Sequence, residues 1–145
     1  MKTNDLTIFY ADDDLEDLDF FTEVTNTINS DIRVITHEDG TQLINALHNP
    51  PPSPHVIFLD LNMPGRNGFE VLEELKSTEG IKDIPVVVFS TSTDEANIAR
   101  SRSLGASFYL PKLPSYEEFK KSIEDTLNIN WNTFETNASN FLYSA

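Results

Sequence analysis

Apolar positions along the chain follow two rhythms. Short continuous runs at 6–11, 32–36, 56–60, 84–89 and 107–110 are separated by longer stretches in which apolar residues recur at helical spacing. Strand-length runs alternating with helical patterns predict βαβ units and a parallel sheet. Val56, Ile57, Phe58, Leu59 and Val86, Val87, Val88, Phe89 are apolar without alternation, as expected of central strands covered by helices on both faces. Leu15, Leu18, Phe21, Val24 and Ile28 share one helical face after Asp14, which fits an N-cap with Asp17 three residues on. Tyr116, Phe119, Ile123 and Leu127 form a second stripe after Pro114 and the cap candidate Ser115. The segment 94–104 offers only Ala96, Ala99 and Leu104 to bury, so a loosely held helix is expected there. Pro50, Pro51, Pro52 and Pro54 prevent helix continuation and predict a loop.

The pattern ends near residue 128. Residues 1–128 read as one domain, and 129–145 as a C-terminal tail rather than a second domain. With Trp131, Phe134, Phe141, Leu142 and Tyr143, that tail is more aromatic than disordered segments usually are. A length of 145 residues fits a single domain. The absence of cysteine excludes disulfides, thiolate metal sites and cysteine nucleophiles. Acids outnumber bases 24 to 10, for a net charge of -14, which would repel a phosphate backbone and argues against direct nucleic-acid binding. The first residues, Met1 to Asp5, lack a signal-peptide stretch, and no apolar run nears the roughly 18 residues of a membrane span. A cytoplasmic protein without membrane contact is expected. His37, His48 and His55 lack ligand spacing and read as loop or surface residues.

Candidate chemistry lies at the strand ends. Ligands of open parallel sheets bind beyond the carboxyl ends of the strands, where strand order reverses. The first run leads into Asp12, Asp13 and Asp14, and the third into Asp60. If these strands are neighbours, several carboxylates converge, and like charges that close require a cation or a shared proton. Oxygen-only donors favour a hard cation, Mg²⁺ or Mn²⁺. Asp14 alone reads more simply as a helix cap. Ser90 ends the fourth run, and Lys112 follows the fifth after Pro111. A carboxylate nucleophile, a metal, a hydroxyl and an ammonium suit phosphoryl transfer, which depends on positioning and charge neutralisation. A phosphatase of the haloacid-dehalogenase type would need a second aspartate where Asn62 stands. A P-loop would need a lysine after its glycines, and none follows Gly65 and Gly68. A flavin phosphate would be repelled by Asp12 and Asp13.

Over residues 6–128 the sequence resembles the receiver domains of two-component response regulators. The resemblance is carried by Asp12 and Asp13, by Asp60 with Leu61, Asn62, Met63 and Pro64, by Gly68, by Ser90 with Thr91, and by Tyr109 three residues before Lys112. It implies a flavodoxin-like (βα)5 three-layer sandwich with a five-stranded parallel sheet of order 2-1-3-4-5. Asp60 would be the phosphoacceptor. Asp13, Asp60 and the Asn62 backbone carbonyl would hold Mg²⁺ or Mn²⁺, with Asp12 acting mainly through water. Ser90 and Thr91 would provide the phosphoryl-binding switch, Lys112 would bind a phosphoryl oxygen, and Tyr109 would be the aromatic that reports the state. The implied partner is a histidine kinase or histidine phosphotransfer protein, and signalling would pass through protein contacts, including a homodimer formed by the fourth helix, fifth strand and fifth helix. A receiver used as a phosphorylation-independent interaction module is the alternative. The stretches 60–64 and 85–92 and the tryptophan after the last helix look like single-domain regulators serving bacteriophytochrome-type kinases. One feature departs from the family: Leu113 stands where proline usually follows the lysine. A cis bond there would cost about 2.5–4 kcal/mol, so the loop either accepts that strain or takes a trans path.

Overall fold

A computed structural model describes residues 6–63 and 65–144; Met1 to Asp5 and Pro64, invoked above, lie outside the described residues. Five strands and five helices alternate: β1 (Thr7–Ala11), α1 (Leu15–Ile28), β2 (Arg33–His37), α2 (Gly40–Leu47), β3 (Val56–Leu59), α3 (Gly68–Ser77), β4 (Val86–Ser90), α4 (Glu95–Ser103), β5 (Phe108–Pro111) and α5 (Tyr116–Leu127). All strand pairs are parallel, in the order 2-1-3-4-5. The chain reverses its direction of winding between β1 and β3. Ala11 pairs with Leu59 and Leu59 with Val88, so Asp12 and Asp60 leave adjacent strands side by side, with Ser90 on the next strand.

Two apolar layers cover the sheet. Leu18, Phe21 and Val24 of α1 and Phe119, Ile123 and Leu127 of α5 close one face; Leu43 and Leu47 of α2 with Val71, Leu72 and Leu75 of α3 close the other. Every residue of β3 and β4 is buried, as their unbroken apolar runs imply. Two stripe residues depart from expectation. Leu15 is 57% and Tyr116 46% exposed; each is the first residue of its helix. The weak helix forms, but Ser101 is its one buried residue.

His37 corrects the surface assignment. Its ring lies 5.0 Å from that of Phe9 and is buried at the end of β2, since the carbonyl of His37 accepts the Asp12 N–H and ties it to the neighbouring strand. His55 remains at the surface, where its Nδ1 accepts the Thr7 N–H. The tail packs onto the molecule. Trp131 and Phe141 are buried, Phe134 meets Phe108 edge-on, and residues 141–143 bridge β5 through Tyr109. The Tyr109 N–H donates to the Phe141 carbonyl (2.8 Å) and the Tyr143 N–H to the Tyr109 carbonyl (2.9 Å). No helix among the described residues is long and apolar enough to cross a membrane.

Candidate functional site

Three carboxylates meet beyond the carboxyl ends of β1 and β3. Asp12, Asp13 and Asp60 each bring an oxygen within 4.8 Å of the others; Asp12 and Asp60 are buried and Asp13 is exposed. Asp60 follows β3 directly, and its N–H donates to the Ala11 carbonyl at 3.0 Å. Burial pushes its carboxyl up to about 7 against the opposing pull of Lys112, and nearby Asp12 adds to the rise. The chain leaves the site through Gly68, whose N–H donates to the Leu61 carbonyl at 2.9 Å. A reciprocal capping box between Asn67 and Glu70 starts α3 at that point.

Lys112 supplies the compensating charge. Its Nζ lies 2.6 Å from Asp12 Oδ2, 2.8 Å from Asp17 Oδ2 and 3.9 Å from Asp60 Oδ1, and above the Phe89 ring. Burial works against its charge, but Asp60, Asp12 and Asp17 outweigh it, and Lys112 titrates above the ordinary lysine value. The Lys112 N–H donates to the Ser90 carbonyl at 2.8 Å. Among the described residues the cis peptides are Pro50–Pro51 and Pro51–Pro52, so Lys112–Leu113 takes the trans path. The missing proline therefore does not keep the ammonium out of the pocket.

Ser90 is fully buried and its Oγ accepts the Ser92 N–H at 3.2 Å, whereas Thr91 is exposed. Tyr109 is fully buried, and its hydroxyl donates to the Ser92 carbonyl at 2.8 Å. The loop leaving β4 therefore carries both the candidate switch hydroxyl and the acceptor of the candidate reporter aromatic. Asn62 is exposed in the loop after Asp60.

Comparison with known proteins decides the family. The response regulator receiver domain family matches residues 8–124. This chain belongs to that family. Response regulator Rcp1 of Synechocystis is 33% identical over 122 residues, which span 81% of this chain and 83% of that protein. The crystal structure of the Mn²⁺-bound form of Rcp1 superimposes with a TM-score of 0.78 at 30% identity, covering 92% of this chain and 99% of that one. The phosphorylated cyanobacterial phytochrome response regulator RcpA gives 0.77 at 31% identity, covering 90% and 96%.

The receiver pocket also contains two residues whose part the sequence did not disclose. Asp17 fits a capping box only halfway: its N–H donates to Asp14 Oδ1 at 3.2 Å, but its own carboxylate turns to Lys112. Tyr10, an apolar-run residue by pattern, donates its hydroxyl to Asp12 Oδ2 at 2.5 Å. The local signal at Asp17 is only its capping spacing from Asp14, and nothing local marks its bond to Lys112 or the part of Tyr10. The donor set suits a divalent metal, because three carboxylates converge on oxygen chemistry alone. Within it Asp12 is largely committed: Oδ2 takes Tyr10 and Lys112, and Oδ1 accepts the Asp14 N–H at 3.0 Å. Asp13 and Asp60 keep the freer oxygens.

Proposed function

We propose that this receiver takes a phosphoryl group onto Asp60 from the phosphohistidine of a histidine kinase or histidine phosphotransfer protein, with Mg²⁺ or Mn²⁺ as cofactor. The observation that carries this reading is a buried aspartate at the end of a central strand, beside two further carboxylates and 3.9 Å from a lysine ammonium. An Asp60 oxygen attacks phosphorus as the phosphorus–nitrogen bond breaks, and the imidazole leaves with the bonding electrons and takes up a proton. Asp13, Asp60 and the Asn62 carbonyl would hold the metal, with Asp12 acting through water; the metal would supply charge neutralisation at the phosphoryl oxygens. Lys112 binds one phosphoryl oxygen by a charge-assisted hydrogen bond. The Mn²⁺-bound form of Rcp1 and the phosphorylated form of RcpA support this assignment by analogy.

The protein is a phosphoacceptor that releases its own phosphate slowly rather than a turnover enzyme. Ser90 and Thr91 bind the phosphoryl group, drawing the β4–α4 loop inward. Ser92, which carries the acceptor of the Tyr109 hydroxyl, moves with that loop. Tyr109 then repacks, and the weakly held α4, β5 with its bridged tail, and α5 change shape as the surface that binds a protein partner or a second copy. We place this exchange in the cytoplasm.

The test is labelling with a small phosphoramidate and Mg²⁺. Wild type is expected to form an acid-stable, hydroxylamine-sensitive acyl phosphate, and Asp60→Asn to form none. Labelling of Asp60→Asn at the wild-type rate would refute the assignment.

A further inference from the structure

The acidic pocket contains one carboxylate more than a metal needs. Asp17 lies outside the Asp12, Asp13, Asp60 cluster, on the first turn of α1, and its carboxylate is directed at Lys112. Adding a negative group to a crowded acidic site is unfavourable on its own, so its placement calls for a role at the ammonium. Taking the proposed function as its basis, we propose that Asp17 and Tyr10 are positioning residues that fix Lys112 with one N–H donor aimed at the phosphoryl site.

An ammonium has three donors. Here Asp12 takes one at 2.6 Å and Asp17 another at 2.8 Å, while Asp60 Oδ1 stands 3.9 Å away. That last separation is too long for a hydrogen bond to Asp60, and it leaves room for an oxygen carried on Asp60 to meet the third donor without displacing the other two. The two acids come from different elements, the end of β1 and the first turn of α1, so they bracket the ammonium instead of tracking it as it moves.

Tyr10 acts one step further back. Its ring is fully buried and packs against Phe21 (4.7 Å) and Phe89 (5.7 Å), and its hydroxyl reaches the same Asp12 oxygen that holds Lys112. The Asp14 N–H holds the other oxygen, so the Asp12 carboxylate is fixed at both ends. Facing a carboxylate oxygen that has no proton to give, the Tyr10 hydroxyl is the donor of this pair. The restraint matters in this chain because the lysine stem is long and freely rotating, and the peptide after it is trans with no proline ring before Pro114. Locking the side chain by hydrogen bonds before the ligand arrives removes the ordering that binding would otherwise require.

The experiment measures beryllofluoride binding in the presence of Mg²⁺, followed by backbone amide shifts, with Mg²⁺ binding alone and thermal melting as parallel readouts. Asp17→Asn and Tyr10→Phe are each expected to weaken beryllofluoride by about five- to tenfold, the range common for coupled neighbours, while both variants melt cooperatively and bind Mg²⁺ alone within about twofold of wild type. Asp17→Glu, which keeps the carboxylate, is expected to recover most of the loss. In a Lys112→Ala background neither Asp17→Asn nor Tyr10→Phe should weaken binding further, because both act through the lysine. The proposal is overturned if Asp17→Asn leaves beryllofluoride affinity unchanged or raises it, or if the same loss persists without Lys112. Should Tyr10→Phe fail to fold, the Asp17 arm decides alone. Failure of wild type itself to bind beryllofluoride with Mg²⁺ would instead refute the phosphoacceptor reading.

Discussion

Gly68 is where packing and phosphoryl chemistry can be tested together. An alanine Cβ at this position would lie 2.5 Å from Leu61 Cα, 3.1 Å from the Asp60 carbonyl carbon and closer still to the Asp60 carbonyl oxygen. All three are backbone atoms, so no flexible side chain can yield. Restoring ordinary contact requires the junction of β3 and α3 to open by about 1 Å, and overpacking of this kind typically costs about 1–3 kcal/mol. For a domain of this size each kcal/mol lowers the melting temperature by roughly 2–4 °C, so Gly68→Ala should melt about 2–12 °C lower. The displaced segment begins at Asp60, and misplacing a reacting group by about 1 Å can reduce rate on the order of 100-fold. Gly40→Ala is the control. The atoms nearest its Cβ would be those of the Val71 side chain, so it should lose stability by a similar route yet label normally once folded. Melting by circular dichroism and phosphoramidate labelling at saturating Mg²⁺ measure the two effects. If Gly68→Ala melts within about 1 °C of wild type and labels within twofold, the close approach does not hold Asp60 in place.

Three further outcomes follow from the same structure. Asp60 is raised from near 4 to about 7 in the folded state, so its contribution to stability is complete below pH 4 and lost as pH rises through 7, with a ceiling of about 4 kcal/mol. Asp60→Asn should therefore gain in melting temperature relative to wild type between pH 5 and pH 8, and a gap independent of pH would refute this. Asp13→Ala removes an exposed carboxylate, so metal-free melting should change by no more than about 0.5 kcal/mol while Mg²⁺-dependent labelling is lost; labelling at the wild-type rate would take Asp13 out of the metal site. Removing residues 129–145 exposes the ground beneath Trp131 and Phe141 and unpairs β5 at Tyr109. At about 1.5–3 kcal/mol per large buried side chain, the truncated chain should lose roughly 3–6 kcal/mol, and an unchanged denaturant midpoint would show that the tail contributes nothing to the fold.

Much of this architecture can be read from neighbours along the chain. The unbroken runs 56–59 and 86–89 announce central strands because a strand covered on both faces has no polar side to show. Caps at Asp14 and Ser115 are equally legible, since a helix start is settled within one turn. The meeting of Asp12, Asp13 and Asp60 needs more than strand ends: the 2-1-3-4-5 order that makes β1 and β3 neighbours is implied by the family resemblance, not by spacing along the chain. Other features rest on contacts between distant segments. Asp17 looks like a capping residue because its spacing from Asp14 is local, yet its carboxylate bonds Lys112, 95 positions away. Tyr10 counts as apolar by pattern until the fold brings its hydroxyl up against Asp12. His37 becomes a core residue only through its pairing with β1, and the aromatic tail acquires a place only once the edge of β5 exists for it to cover. Periodicity and capping are decided within a turn or a strand, where sequence spacing is spatial spacing. The partner of a long polar side chain is decided by which elements close around it, and that is set only when the whole sheet is assembled.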